Sequence, residues 1–438
     1  MTALPLYFLV LTFLRSLSNG VDRLCNTSFS LALSITAMVI GLMAAWHMRH
    51  VRIHRRIFTL LICLSVFVVT CGLSFVVNAF EARNIIDQYA AWYEILRYAY
   101  LIMFVILVSS VYRYPTFCLD VHRVYILLLF LIAVVGLGQY LTGNAELATK
   151  YDKYERVAGL SAHPVPFSLE IVLTFCVCEL SRRKMRLPIR HFHIVVYMLF
   201  LVALVLSASR TGVALLGVTI GIFLLAQRPS LLPVSAAAFA VVIWISPFGE
   251  LFSDLRSVPE YILRGEYVVW DWRTAVTSVH WRIHHWYYLS TLALERPWIG
   301  YGPGQEILYS PFSLQAHNQF VEIFFDTGMV GLISFAVFWF SIPLVAMSDR
   351  QRLVISYGKK SAEIGTLHFW IAMFAGVTLV ALFDQSFNRE TVAFSHLIVS
   401  IFVVLAQPEA VTERDVGSPY SHVSMTSGSR AIEALGGQ

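Results

Sequence analysis

Residues 57–80 read IFTLLICLSVFVVTCGLSFVVNAF and contain no charged side chain. A second stretch, 328–347, reads GMVGLISFAVFWFSIPLVAM and is also uncharged. A helix needs about 20 mainly apolar residues to cross the hydrocarbon core of a bilayer. Inside that core an extended segment would leave its backbone N–H and C=O groups without partners, whereas a helix satisfies them internally. The two stretches therefore predict an all-α membrane protein.

The composition of the whole chain supports the same class. Of its 438 residues, 58% are hydrophobic and 13% are charged, and the mean hydropathy is +0.68. Soluble domains carry about 25% charged residues, so this chain lacks the material for a water-facing surface. The net charge of +5 does not indicate a nucleic-acid partner, because membrane orientation accounts for it, as shown below.

Apolar stretches of similar length recur along the chain. They predict a polytopic integral membrane protein with about 12 transmembrane helices, near 3–18, 27–46, 57–80, 95–112, 121–141, 165–180, 192–209, 211–226, 231–248, 319–347, 364–383 and 391–407. One long loop, 249–318, separates the ninth span from the tenth. Residues 1–406 are thus predicted to form one transmembrane domain. The tail 407–438 is rich in Ser, Gly and small residues, which predicts a disordered extension.

Positive charge predicts the orientation of these spans. With a cytoplasmic N-terminus, the short inner segments hold 16 Lys and Arg residues and the short outer segments hold 8. Inner loops are the ones enriched in Lys and Arg. We therefore expect both termini, and the tail, to be cytoplasmic and the loop 249–318 to lie outside.

The outer loop is rich in tryptophan. It holds five of the chain's ten, Trp270, Trp272, Trp281, Trp286 and Trp298. Interfacial belts of Trp are common in membrane proteins. The alternative is a folded cap whose indoles pack on the faces of sugar rings. The sequence leaves both interpretations open.

Three charged residues on the outer side are unusual. Arg210 lies in Ser-Ala-Ser-Arg-Thr-Gly, a turn so short that the flanking helices must form a tight hairpin. Such an Arg commonly anchors to lipid phosphate, but the small neighbours here permit close helix approach. Arg97 and Glu170 lie inside predicted spans, where a charge is costly and usually faces a cavity or another charge. A structural Arg97–Glu170 pair and a functional role are both compatible with the pattern.

His317 begins a segment that leads into the tenth span. If 316–326 is helical, His317 shares one face with Val321 and Phe324, while Glu322 lies on another. This arrangement puts the imidazole at the outer membrane boundary. A lone His is more often structural than catalytic, so its position alone does not assign a role.

Taken in order, these elements resemble the O-antigen ligase and polymerase family of membrane glycosyltransferases. The resemblance is carried by the Ser-Arg-Thr-Gly turn at Arg210, the outer-loop Arg282, Pro-Trp-Ile-Gly-Tyr-Gly-Pro-Gly at 297–304, and His317-Asn318 followed after nine residues by Gly328 and then Gly331. The family often has Thr after the last glycine, where this chain has Leu332. The strong part of the resemblance covers about 205–335.

The resemblance implies a bacterial O-antigen ligase, which joins a glycan to the lipid A–core oligosaccharide at the periplasmic face of the inner membrane. The donor is a glycan on undecaprenyl pyrophosphate. Arg210 and Arg282 match the family's essential arginines, and arginine makes bidentate, permanently charged contacts to phosphate. His317 matches its essential histidine and suits a general base for the acceptor hydroxyl, because the ordinary imidazole pKa lies near neutral pH.

The resemblance also bears on further residues and on metals. Arg156 resembles a loop Arg found in the family, and we expect it to bind phosphate on the donor or on the acceptor core; a solvated loop charge explains it equally well. Asn318, Arg97 and Glu170 complete the predicted substrate-binding set. We see no cluster of carboxylates with metal-ligand spacing near these residues, which favours a metal-independent reaction without a cofactor. No side chain is identifiable as a covalent nucleophile, so we expect inversion of the anomeric centre.

Other functions fit parts of the pattern. An O-antigen polymerase would use the same donor and a second lipid-linked glycan as acceptor. Protein O-oligosaccharyltransferases generally carry an extra C-terminal region. A twelve-span secondary transporter would place its charges at the midplane within repeated halves, whereas here they gather at one face. A structural scaffold leaves the ordered motif unexplained.

Overall fold

The computed structural model describes residues 36, 39–40, 43, 55–79, 85–142, 157–159, 161, 163–237, 278–348, 362–383 and 391–406. Within these ranges the chain forms helices and no strands. The helices are α1 (Arg55–Asn78), α2 (Ile85–Val111), α3 (Phe117–Thr142), α4 (Pro164–Lys184), α5 (His191–Leu206), α6 (Arg210–Gln227), α7 (Ser278–Ala293), α8 (Glu306–Tyr309), α9 (Gln319–Met347), α10 (Ala362–Ala381) and α11 (Thr391–Leu405). A 3₁₀ turn at Pro229–Leu231 follows α6.

The described residues contain seven helices long and apolar enough to cross a membrane: α1, α3, α4, α6, α9, and the segments Gln88–Val111 and Glu363–Ala381 of α2 and α10. Two further apolar helices, His191–Leu206 and Ala393–Leu405, are shorter. These nine fall on nine of the twelve predicted spans, which confirms an all-α polytopic membrane protein. The predicted spans 3–18, 27–46 and 231–248 lie wholly or mostly outside the described residues, as does the tail 407–438, so the count of twelve stays a prediction.

Helix α4 occupies the centre of the bundle. It packs against α3, α5, α6, α10 and α11, and most of its residues are buried. Glu170 and Glu179 of this helix are 4% and 6% exposed. A span surrounded by protein can carry charges because they face neighbouring helices instead of lipid. This explains why the predicted span 165–180 contains carboxylates.

Helices α6 and α10 are antiparallel neighbours. Gly376 in the second half of α10 faces Leu215 in the first half of α6. Near their other ends, Gln227 at the end of α6 hydrogen-bonds to His368 of α10. Arg210, the first residue of α6, therefore lies level with residues 382–383, which follow α10. We call this end of the bundle the site end.

A kink in α9 lets a loop cross it. Gly328 has φ 67° and ψ −164° within the helix, a backbone conformation that is easily reached only by glycine. A Cβ at Gly328 would lie 2.3 Å from the carbonyl carbon of Trp298. The first glycine of the His-Asn motif is thus required by local geometry.

The loop at this kink bonds to α9 through its backbone. The amide of Met329 donates to the carbonyl of Pro297 at 2.7 Å, and the amide of Gly302 donates to that of Asp326 at 2.8 Å. Because the loop follows directly after α7, these bonds fix the end of α7 against α9. The Pro-Trp-Ile-Gly-Tyr-Gly stretch thus connects α7 to α9 through backbone hydrogen bonds.

Candidate functional site

Arg282 lies on α7 and reaches to the end of α10. Its Nη1 donates to the carbonyl oxygen of Phe383 at 3.0 Å. Its guanidinium carbon lies 5.6 Å from the ring centroid of Trp281, within the range of a cation–π interaction. The two contacts hold the guanidinium at the site end.

Asn318 and His317 lie at the start of α9. The side-chain oxygen of Asn318 accepts from the amides of Phe320 and Val321 at 3.0 and 3.1 Å, so Asn318 is the N-cap of the helix. The side-chain nitrogen of Asn318 donates to the carbonyl of Leu382 at 2.8 Å. The cap thus anchors the helix start to the end of α10.

The helical conformation expected for His317 is wrong. Because Asn318 caps α9, the helix begins at Gln319, and His317 precedes it with φ +50°. Non-glycine residues in this left-handed region are uncommon and cluster at functional sites. The imidazole packs edge-on against Trp281, with ring centroids 5.3 Å apart. It therefore lies beside the helix that carries Arg282.

These contacts bring three segments together. Arg282 and Asn318 donate to the consecutive carbonyls of Phe383 and Leu382. The indole nitrogen of Trp286 on α7 donates to the carbonyl of Ala316, the residue before the histidine. The structure therefore places Arg282, Asn318 and His317 around one point at the site end.

Arg210 begins α6 at the same end of the bundle. The hydroxyl of Ser209 caps the helix by accepting from the amide of Gly212 at 3.4 Å, and it accepts a second bond from Ser168 of α4 at 2.7 Å. A Cβ at Gly212 would lie 2.4 Å from the Cβ of Ser168. The predicted short turn is confirmed, and the small residues serve close contact with α4. The N-terminus of α6 adds partial positive charge beside the guanidinium.

Arg97 and Glu170 do not form the structural pair with each other that was one of the two alternatives. Arg97 on α2 bonds to Glu94, three residues earlier on the same helix. Glu170 on α4 accepts from the hydroxyl of Ser161 at 3.3 Å. The predicted substrate-binding residue Arg156 lies outside the described residues.

The described tryptophans of the predicted outer loop, 249–318, differ in role. Trp281 is 7% exposed and packs on His317, whereas Trp298 is 68% exposed. Trp281 and Trp286 thus build the site, and Trp298 presents an indole at the surface. Trp270 and Trp272 lie outside the described residues.

The fold assembles a carboxylate cluster that the sequence did not indicate. Ligand atoms of Glu306, Glu322 and Asp326 lie within 4.8 Å of one another, and all three residues are buried. Glu322 and Asp326 are one turn apart on α9, and Glu306 arrives from α8. One oxygen of Asp326 accepts from the amide of Gly304 at 2.8 Å. The expectation that no such cluster lies near the motif is wrong, because the third carboxylate comes from a separate element.

His285, one turn after Arg282, also lies at the site, although the sequence does not indicate it. Its ring is fully buried and lies 5.3 Å from that of Phe312 and 6.1 Å from that of Trp281, between centroids. Within the described part of the chain neither ring nitrogen has a hydrogen-bond partner. Burial, with smaller contributions from His317 and His284, lowers the pKa of His285 to about 3. The imidazole is therefore neutral at physiological pH.

Gln319 was missed as well. It follows Asn318 at the start of α9 and is fully buried. Neither atom of its amide group bonds to any described residue. Buried polar groups are nearly always hydrogen-bonded, so such atoms require an explanation. No sequence signal distinguishes this residue or His285 from ordinary helix residues.

Comparison with known proteins gives a family match for part of the chain. Residues 195–336 match the family model described as O-antigen ligase. The matched segment includes the turn at Arg210, helix α7 with Arg282, and the start of α9 with His317. No curated protein matches the chain. The family resemblance inferred from the motifs is thereby confirmed.

Proposed function

We propose that this chain, which carries an O-antigen ligase family domain at residues 195–336, transfers a glycan from undecaprenyl pyrophosphate to lipid A–core oligosaccharide. One observation carries the proposal most directly. Arg282 and Asn318 bond to adjacent carbonyls at the end of α10, which holds a guanidinium and the imidazole of His317 around one point. A cation for a leaving phosphate and a base for a hydroxyl are the two groups that this transfer needs.

Arg282 and Arg210 are assigned to the pyrophosphate. Negative charge on the leaving group grows as the glycosidic bond breaks, and guanidinium donors already held in place stabilise it without reorganisation. Arg282 is held by Phe383 and Trp281. Arg210 begins a helix whose partial positive charge acts in the same direction.

His317 is assigned as the general base. It takes the proton of the acceptor hydroxyl while that oxygen forms a bond to the anomeric carbon of the glycan. The C–O bond to the pyrophosphate breaks, and its electron pair leaves with undecaprenyl pyrophosphate. A single displacement of this kind inverts the anomeric centre.

The reaction is proposed to need neither metal nor cofactor, because the arginines supply the positive charge. The cluster of Glu306, Glu322 and Asp326 makes this part of the proposal testable. If a divalent cation at the cluster took part, a chelator would stop transfer, and Asp326→Asn would remove the metal dependence together with the activity. Under the proposal, EDTA leaves the rate unchanged.

The membrane setting follows the sequence pattern. We place the protein in a bacterial inner membrane with about twelve spans, both termini in the cytoplasm and the site end facing the periplasm, where donor, acceptor and bilayer lipids meet. Asn318, Arg97, Glu170 and Arg156 are proposed to contribute to substrate binding. For Asn318 the structural support is its position directly after the base.

The test is transfer by purified protein in detergent or vesicles, with lipid-linked glycan and lipid A–core as the only substrates. His317→Ala is expected to lower the rate about 1,000-fold, the scale of a lost general base. Arg210→Lys is expected to impair transfer strongly because lysine lacks the bidentate fork. Thermal stability of each variant serves as the folding control.

The alternatives give different outcomes in this assay. Longer lipid-linked glycan without modified lipid A–core would support a polymerase and contradict the ligase proposal. Movement of a solute across vesicles with no glycosidic product would support a transporter. Full activity of the His317 and Arg210 variants would contradict the site assignment.

A further inference from the structure

His285 is buried beside Trp281, the ring that packs on the base assigned above, and it has no role in that mechanism. Its ring is fully buried and shares the neighbour Trp281 with His317, at centroid distances of 6.1 and 5.3 Å. Phe312 packs edge-on against the His285 ring, with centroids 5.3 Å apart and the ring planes at 88°, and it also contacts Trp281 at 6.1 Å. The two imidazoles thus lie in one aromatic enclosure.

The ring nitrogens of His285 destabilise the fold because they are buried without hydrogen bonds to described residues. Neither has a hydrogen-bond partner among the described residues, and a buried polar atom left unsatisfied costs about 1–3 kcal/mol. Phenylalanine would fill the same space without that cost. The imidazole at this position therefore indicates a use for its nitrogens.

The protonation of His317 during the reaction creates a need for such a nitrogen. A neutral imidazole has one donor nitrogen and one acceptor nitrogen, and both become donors once it takes a proton. The Nδ1 atom of His317 is buried, so water reaches it poorly. An acceptor in the enclosure would stabilise the imidazolium where bulk water does not.

We propose that His285 is a positioning residue which accepts a hydrogen bond from protonated His317, directly or through one water molecule, and so strengthens the catalytic base. The inference rests on the proposed function. It gives His285 the place that a buried carboxylate holds beside a catalytic histidine in other enzymes, with a neutral group instead of a charged one.

The charged surroundings fit a neutral acceptor. The titratable groups acting on His285 are His317 and His284, and Arg282 lies one turn away on the same helix. Helix α9 packs against α7, and its carboxylates Glu322 and Asp326 cluster with Glu306. Because His285 is neutral at physiological pH, it does not compete with His317 for the proton.

The experiment is the pH dependence of transfer by the full-length protein with lipid-linked glycan and lipid A–core. His285→Phe keeps the ring volume and removes both nitrogens. We expect kcat to fall about tenfold or more, with little change in KM. The acidic limb, where His317 gains its proton, should move to lower pH because the imidazolium loses its stabilising acceptor.

Two further variants separate this role from packing. His285→Gln restores an acceptor oxygen and should recover part of kcat and of the pH midpoint. His284→Phe changes the adjacent ring, which also contacts Phe312, and should leave the profile unchanged. An unchanged acidic limb in His285→Phe, or equal shifts in both Phe variants, would overturn the inference.

The two proposals fail in different ways. If the wild-type protein makes no glycosylated lipid A–core, the proposed function fails. If the wild-type protein is active and His317→Ala is not, while His285→Phe keeps the wild-type pH profile, only the inference about His285 fails.

Discussion

Glu179, near one end of α4, accepts hydrogen bonds from several side chains. By contrast, the side chains of His285 and Gln319 at the site end are buried and have no hydrogen-bond partner among the described residues. Both oxygens of Glu179 are used, bonding to Arg182 at 2.7 Å, to Arg183 at 2.6 Å and to Tyr197 at 3.0 Å. A fully satisfied buried network rigidifies a fold. Polar atoms buried without partners are tolerated where a substrate or a reaction step supplies the partner.

Two histidines near Glu179, His122 and His193, also have a hydrogen-bond partner for every ring nitrogen. His193 accepts from the amide of Arg190 at 3.2 Å and meets His122 at 3.1 Å, and His122 bonds to the carbonyl of Cys178 at 3.2 Å. One assignment of tautomers satisfies all four ring nitrogens. The difference from His285 therefore lies in the surroundings and not in the residue type.

The largest expected difference between the two regions comes from an Arg→Lys substitution made in each of them. Arg282→Lys should lower transfer about 100-fold or more, because lysine lacks the guanidinium fork that we assign to the phosphate whose charge develops in the reaction. Arg183→Lys, which keeps a cation near Glu179, should leave the rate within about twofold of wild type. Initial rates in the transfer assay check both. Similar losses in the two variants would contradict the functional distinction between the regions.

A substitution at Glu179 should have the opposite pattern, a large loss of stability with little change in transfer. Glu179→Gln leaves two guanidinium groups facing a neutral amide and should lower the free energy of unfolding by about 3 kcal/mol. The folded fraction should transfer glycan at nearly the wild-type specific rate. Thermal unfolding in detergent and activity per folded protein measure the two effects. An unchanged Tm would show that the cluster contributes little to the fold.

A smaller effect is expected from pH. His285 has a pKa of about 3 in the folded protein against an ordinary value of 6.5. The stability that the neutral His285 contributes is thus complete above pH 6.5 and decreases as the pH falls toward 3. At pH 5 the loss in the free energy of unfolding amounts to about 2 kcal/mol. His285→Phe should be less sensitive to acid than wild type. Equal acid sensitivity in Tm measurements would indicate that His285 is solvated.

The smallest expected effect tests how Asn318 contributes to the site. Asn318→Ala removes the cap of α9 and the bond to Leu382, so we expect a loss of about 1 kcal/mol in stability and a moderate fall in transfer. Asn318→Asp keeps the cap but loses the donor to Leu382. If the Asp variant matches Ala in rate and wild type in Tm, then anchoring to α10 is what matters for transfer.

Parts of this molecule were predictable because the bilayer imposes them. The uncharged runs 57–80 and 328–347 permit no alternative to spanning helices, and α1 covers 57–78 of the first while α9 covers the whole of the second. Arg282, Asn318 and His317 were chosen by resemblance to a family, and the structure brings them together. Sequence alone gave no reason for their proximity.

Other parts depend on contacts between distant segments. The side chain of Asn318 caps α9 so that the helix starts only at Gln319, after His317, and periodicity alone therefore misplaced the histidine. Glu306 joins two carboxylates of α9 only because the loop before it bonds across the kink at Gly328. The burial of His285 depends on Phe312, which follows it by 27 residues. None of these contacts leaves a periodic signal.

One measurement tests the central claim most directly: the products of a single reaction of purified protein with lipid-linked glycan and lipid A–core, counted on both substrates. The account predicts one released undecaprenyl pyrophosphate for each glycosylated lipid A–core, in wild type and not in His317→Ala, with EDTA present. Pyrophosphate lipid released without glycosylated core, or equal yields from the His317 variant, would contradict it.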